Sequence, residues 1–292
     1  MDYIGHVIRP PSEAYSMIIQ VTVGCSHNMC TFCGTYKDQK FRIKDMPTIK
    51  RDIDEASNCG YPFTKAFLAD GDVLILPNET ILEIIAYIRE KNPKITRIGV
   101  YGNTKAILKK TPEELTELKK AGLGIIYQGI ESGNETILRK VRKGALPHKM
   151  IETAHKVMDA DILLSQTVLL GLGGTEMSRE HATDTGRLLG EMSPDFAGAL
   201  TVMLIPGTPL YADMRAGRFS LPDKFGMLEE LRLMIQNMNV RKRCFFTSNH
   251  ASNYLPIRAW IPDDQKKVLT MISEVLKKRD ESLLKPEHMR AL

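Results

Sequence analysis

The segment Gly24-Cys-Ser-His-Asn-Met-Cys-Thr-Phe-Cys-Gly34 gathers Cys25, Cys30 and Cys33 at the spacing C-x4-C-x2-C. A free buried cysteine behaves as a small apolar residue, but polar loop residues surround these three. Thiolates grouped in this way hold a metal ion or a cluster. Two occupants compete. Zinc needs four ligands in a closed tetrahedron, with His27 or a distant cysteine as the fourth, and the chain has no second C-x2-C pair. An iron–sulfur cluster takes thiolates as its usual ligands, and three of them leave one iron of a four-iron cluster open to reaction. The full count is 5 cysteines, an odd number, which with this crowding argues against a disulfide framework and for a reducing compartment. Cys59 and Cys244 stand alone and read as buried structural thiols.

A loop that presents three thiolates must be held by regular elements, and the pattern around it supplies them. Ser16–Val23, rich in Ile and Val, reads as a strand leading directly into the cysteines. Lys65–Ala69 is a second strand, followed by a helix over Asn78–Glu90 with Ile81, Ile84, Ile85 and Ile88 at helical spacing. Ile95–Val100 is a third. Thr111 then caps a helix: Pro112 suits its first turn, Glu114 completes a capping box, and Gly122 follows its end. Strands at Gly124–Ile130, Leu163–Leu170 and Phe196–Leu204 alternate with helices at Asn134–Arg142, near His148–Asp159, and at Arg179–Glu191.

Six strand–helix alternations in about 200 residues, with strands apolar on both faces, predict parallel strands joined by helical crossovers. An open sheet and a complete or partial barrel both satisfy this. Gly171-Leu-Gly-Gly174 lacks the third glycine and the later acidic residue of the dinucleotide-binding fingerprint. A TIM-like α/β barrel core over residues 1–215 is therefore expected, with its site at the carboxyl ends of the strands. Residues 216–292 read as a C-terminal helical extension capping the barrel, with amphipathic helices at Leu221–Val240 and Pro262–Leu276. The connector Cys244–Pro256 is dense in Asn249, His250, Asn253 and Tyr254 and is a candidate substrate contact. His250 and Tyr254 are its candidate catalytic groups, as donors or acceptors of protons or relays of hydrogen.

With the cysteine motif at this position, Phe32 before its last cysteine, the sequence resembles the radical S-adenosylmethionine (SAM) superfamily. The usual spacing there is C-x3-C-x2-C, and this chain carries one extra residue between Cys25 and Cys30. The resemblance extends over roughly residues 15–215. Asp70-Gly71-Asp72 stands where the family has a Gly-Gly-Glu-Pro turn that binds the methionine amino group, and Asp72 is placed to pair with that ammonium. Tyr101-Gly102 ends the third strand, beside the ribose and methionyl part. Gly129-Ile-Glu-Ser-Gly133 is similar to the GxESG segment of the branch holding methylthiotransferases, elongator-type enzymes and oxygen-independent coproporphyrinogen oxidases, where the Glu131 position contacts SAM. Lys143 matches a basic position facing the SAM carboxylate, Thr167 a polar position on the fifth strand, and Ile205, in Leu204–Pro209, the adenine-side motif of the sixth.

The resemblance implies a [4Fe-4S] cluster on Cys25, Cys30 and Cys33, with SAM chelating the fourth iron. It further implies reductive cleavage of SAM to methionine and a 5′-deoxyadenosyl radical that abstracts hydrogen from a substrate. The protein would orient these cofactors and exclude water and oxygen, and a ferredoxin- or flavodoxin-like donor would supply the electron. Relatives acting on RNA commonly add a basic domain, and cobalamin-dependent ones a domain before the barrel. Neither is visible, so a small organic substrate is expected. A tRNA-modifying enzyme and a non-catalytic zinc or iron–sulfur redox-sensing module are the alternatives.

Composition agrees with a globular protein: 43% hydrophobic and 26% charged residues allow a sizeable core. The net charge of +5 comes from scattered short basic runs, so no nucleic-acid surface is expected. No stretch approaches the roughly 18 apolar residues of a membrane span. The opening MDYIGHVIRPPSE lacks the layout of a secretory signal, so a cytoplasmic location is expected.

Overall fold

The computed structural model, which describes residues 1–291, turns the first apolar run into two short strands. β1 (Met17–Gln20) and β2 (Thr22–Val23) are separated at Val21, whose N–H donates to the carbonyl of Ala69. β2 leaves the line of β1 to pair antiparallel with β3 (Arg42–Ile43). Helix α1 (Met46–Ser57) follows. It has no counterpart in the sequence reading, although Asp45 caps it through the Thr48 N–H and Ile49, Ile53 and Ala56 form its buried stripe.

By packing, the chain divides into two units. The first holds Met1–Asn28, Thr35–Gln128 and Glu152–Leu164; the second holds Met29–Gly34, Gly129–Ile151 and the residues from Ser165 onward. In the first, β1 runs parallel to β4 (Lys65–Ala69), β4 to β5 (Arg97–Tyr101), and β5 to β6 (Leu123–Glu131), whose last residues pass into the second unit. Helices α2 (Asn78–Lys91), α3 (Thr104–Lys109) and α4 (Pro112–Ala121) fall between these strands. No side chain caps the start of α2. Its buried isoleucines, 81, 84, 85 and 88, contribute about 1.5–3 kcal/mol each and outweigh the ~1 kcal/mol of a missing cap. In α4 the expected capping box is present, with Thr111 and Glu114 each bonding the other's backbone N–H, and Gly122 ends the helix.

In the second unit, α5 (Glu135–Lys140) and the start of α6 (Pro147–Asp159) precede β7 (Leu163–Leu170). Then come α7 (Ser178–Met192), β8 (Phe196–Thr201), α8 (Pro209–Arg215), α9 (Lys224–Gln236), β9 (Cys244–Thr247), β10 (Arg258–Ile261) and α10 (Gln265–Lys278). β7, β8 and β9 are parallel and β10 returns antiparallel along β9.

Three expectations are corrected here, the first being that Cys59 is buried: it is exposed, while Cys244 is buried. The segment after residue 215 is not wholly helical, because Cys244–Thr247 and Arg258–Ile261 are strands paired in the sheet. The polar connector is correspondingly shorter; its apolar start, with Cys244 and Phe246 fully buried, belongs to β9. Nor are all strands buried on both faces. β7 and β8 alternate between buried and half-buried positions.

Helices α7 and α9 approach backbone to backbone. A Cβ at Gly186 would collide with the Met234 carbonyl, and one at Gly190 would lie 2.8 Å from the Asn239 nitrogen.

Candidate active site

The cysteine loop leaves β2 through Gly24, whose φ of +78° is a left-handed conformation suited to glycine. Cys25, Cys30 and Cys33 are not joined in disulfides, and all three are half-buried.

In the first unit, the turn after β4 presses on Cys25. A Cβ at Gly71 would lie 2.9 Å from the Gly24 carbonyl and 3.0 Å from the Cys25 Cα, so only glycine permits this approach. The flanking aspartates are both buried. Asp70 accepts a short hydrogen bond from the Tyr36 hydroxyl and a 3.4 Å one from the Gln20 amide. Asp72 accepts from the Ser26 hydroxyl at 2.5 Å and the Asn103 side-chain amide at 2.6 Å, and from the Asn103 N–H at 3.4 Å. Burial pushes both carboxyls up to about 6 against these hydrogen bonds.

Asp72, which the sequence offers to an ammonium, is thus fully buried and holds the residue after the first cysteine in place. Asn103 also caps α3 by accepting from the Ala106 N–H, so one side chain ties the end of β5, the turn and the loop together. Tyr101 ends β5, its ring edge-on to Phe67 at 5.0 Å, and burial raises its phenol well above the ordinary range.

In the second unit, the backbone of Thr31 donates to Val141 and accepts from Leu210, 3.0 Å each. Phe32 packs against the cluster of Ile137, Val141, Leu172, Val202, Leu210 and Phe219, which gives the aromatic a packing task of its own. Ile205 lies against the loop: a Cβ at Gly34 would be 2.8 Å from its Cγ2. Glu131, at φ +66°, forms a largely buried ion pair with Lys143 at 2.7 Å. Such a pair requires both partners, because removing one leaves an uncompensated buried charge. Thr167 is half-buried in β7, opposite Gly198 of β8.

Two buried groups that sequence reasoning missed fix the strand ends here. His181 on α7 bonds the Leu169 carbonyl through Nε2 and Ser132 through Nδ1, both at 2.9 Å. A carbonyl can only accept, so Nε2 carries the proton and Nδ1 accepts from the Ser132 hydroxyl. Complete burial lowers the imidazole to about 4 and keeps it neutral. Glu230 on α9 accepts from the Gly171 N–H at 2.6 Å and the Ser178 hydroxyl at 2.7 Å, and burial raises it to about 7. A histidine and a glutamate on amphipathic helices look like solvated positions in a sequence, and only tertiary packing shows otherwise.

His250 and Tyr254 belong to the C-terminal part of the second unit. His250 Nδ1 faces the Ser252 hydroxyl at 2.9 Å, and burial with the nearby Lys285 lowers its pKa. The Tyr254 hydroxyl donates to Glu287 at 2.7 Å and accepts from Arg290 at 2.6 Å, whose guanidinium also lies over the ring. Burial raises this phenol to about 12. Both hydrogen-bonding roles of Tyr254 are filled by residues near the C-terminus.

By residue type and C-x4-C-x2-C spacing, Cys25, Cys30 and Cys33 are the thiolate donors an iron–sulfur cluster takes. The family model of the radical SAM superfamily matches residues 19–189, a span that includes all three thiols, Asp72, Glu131, Lys143 and Thr167. The chain belongs to that superfamily. Among curated proteins it is 28% identical over 172 residues to uncharacterized protein MJ0785 of Methanocaldococcus jannaschii, a match covering 56% of this chain and 43% of that one.

Solved structures share the fold. Coproporphyrinogen III oxidase from Escherichia coli, a radical SAM enzyme, superposes with a TM-score of 0.58 at 17% identity over 76% of this chain and 51% of that one. Methylornithine synthase gives 0.55 at 17% identity over 76% and 62%. Elp3 of the archaeon Methanocaldococcus infernus gives 0.54 at 14% identity over 91% and 63%. The architecture is therefore the mostly parallel, TIM-like α/β fold of radical SAM enzymes. The matches span less than two thirds of each of these relatives' lengths.

Proposed function

We propose that the chain uses a [4Fe-4S] cluster on Cys25, Cys30 and Cys33 to act on a small organic substrate. The observation that carries this reading is the C-x4-C-x2-C spacing of Cys25, Cys30 and Cys33 within the span that matches the superfamily. When bound, the cluster and SAM supply an electron transfer that cleaves SAM reductively and a radical that abstracts hydrogen.

The residues of the chain position these groups. Gly71 lets the turn after β4 approach Cys25, and Asp72 with Asn103 holds Ser26, so the start of the loop is fixed by the chain's own groups. Phe32 and Ile205 supply apolar surface beside Cys33 and Gly34. In the second unit the Glu131–Lys143 pair offers one acceptor and one donor to the methionyl end of SAM, with Thr167 as a further contact; Tyr101 keeps the SAM-binding role that the family resemblance gives it. Asp70 steadies the turn from beneath Tyr36. A ferredoxin- or flavodoxin-like protein is the proposed electron donor, and the cytoplasm the proposed location. Among the described residues no helix is long and apolar enough to cross a membrane.

Anaerobic reconstitution tests the reading. The expected product holds about four iron and four sulfide per chain, and with a reductant it converts SAM to 5′-deoxyadenosine. Substituting Cys30→Ala should abolish both. Protein that takes up zinc instead, with no visible cluster absorption, would reject it.

A further inference from the structure

The strand register of the second unit lines up side chains in rows. Thr167 stands opposite Gly198, Gly198 opposite Thr247, and Thr247 opposite Arg258. The row beginning one residue earlier on β7 (Gln166, Ala197, Phe246, Ala259) is wholly buried. The next row again faces out, with Phe245 opposite Trp260. One face of these four strands is therefore core and the other is open, as the alternating pleat requires.

Three features distinguish the open face. Gly198 leaves a gap between two threonines: a Cβ there meets nothing nearer than the Thr247 hydroxyl at 3.8 Å. Among the described residues no carboxylate pairs with Arg258. In the amide orientation that satisfies both side chains, the Asn249 oxygen accepts from Arg258 Nη2 at 2.9 Å and Nε at 3.3 Å. That occupies one edge of the guanidinium and leaves the Nη1–Nη2 edge for a second acceptor. Trp260, 38% exposed, lies 5.0 Å from the Phe245 ring, an aromatic surface beside the charge.

We infer that this face binds a small organic anion, its carboxylate or phosphate forked on Arg258 and its apolar body lying over Gly198 toward Thr167. The inference deepens the proposed function by giving the substrate class, and it rests on that reading. An arginine oriented by a neutral amide suits planar two-oxygen groups better than a lysine would. Thr167 is three strand spacings from Arg258, roughly 14 Å. A molecule reaching from Arg258 to the SAM-side threonine is therefore longer than a two- or three-carbon acid.

Trp260 is the single tryptophan of the chain and reports on the face directly. The cluster-reconstituted protein is titrated under anaerobic conditions with phenylacetate, phenyl phosphate and the neutral phenylacetamide. We expect a saturable change in Trp260 fluorescence with one or both anions, at least tenfold tighter than with the amide. The stronger anion identifies the acid group. In Arg258→Gln this preference should disappear while iron, sulfide and melting temperature stay at wild-type levels; Arg258→Lys should restore it in part. Equal titration by anion and amide, or an unchanged preference in Arg258→Gln, overturns the site. A chain that shows the preference but incorporates no cluster overturns the radical reading and leaves the anion site standing.

Discussion

Gly71, in the turn after β4, and Gly198, in β8, show how differently two glycines of one chain are constrained. At Gly71 the nearest atoms to an added methyl are backbone, 2.9 and 3.0 Å away, and backbone cannot rotate aside. Gly71→Ala should therefore displace the cysteine loop, costing about 1–3 kcal/mol and at least halving the iron incorporated on reconstitution. Gly198→Ala meets nothing closer than 3.8 Å and should stay within about 0.5 kcal/mol of wild type. Parallel thermal melts and iron assays check the pair; equal behaviour of the two variants would remove the argument. At this scale the cysteine triplet was legible, because its chemistry lies in residue type and spacing within one loop. The Ser26–Asp72–Asn103 knot was not. Its members are 46 and 31 residues apart in the chain, and none has an unusual local context.

Elements were legible where their own ends carry the signal. The Thr111 capping box and the isoleucine stripe of α2 are local. The break at Val21 and the strand at Cys244 depend on partners supplied from elsewhere. Partners from elsewhere also set the pH behaviour of α7 and α9. A glutamate held at about 7, above its ordinary 4.5, favours the native state at low pH and loses that advantage as pH rises toward 7. A histidine held at about 4, below its ordinary 6.5, does the reverse, and its contribution is lost as pH falls toward 4. Between pH 4.5 and 6.5 the two slopes oppose and nearly cancel. In Glu230→Gln the amide oxygen still accepts from the Gly171 N–H and the amide nitrogen donates to Ser178 Oγ in place of the reverse bond, while one slope is removed. The variant's stability should fall by about 2 kcal/mol relative to wild type on acidification across that window. Melting curves at four or five pH values measure it, and profiles that run parallel would refute the assignment.

For the whole molecule, the alternation of strands and helices together with one loop was enough to reach the superfamily, while the C-terminal quarter was read too simply. That quarter supplies β9 and β10, and with them Phe246, Ile261 and the row ending at Arg258. A chain ended at Arg215 would leave β8 as an unpaired edge over an uncovered core, a template for aggregation. Such a truncation should be recovered as insoluble material, or as soluble aggregates by light scattering. A monodisperse, cluster-binding fragment would show instead that the first 215 residues fold independently.

The close approach at Gly186 and Gly190 constrains the floor that carries Arg258. At Gly186 α7 meets the Met234 carbonyl of α9, and at Gly190 it meets Asn239 just past the end of α9, so neither position has room for a side chain. Only residues 237–243 join α9 to β9, the strand that pairs with β10 and its Arg258, so the contact between α7 and α9 bears on how that floor is placed. A single methyl at Gly186 would therefore act on the placing of the floor from behind, through the Met234 carbonyl.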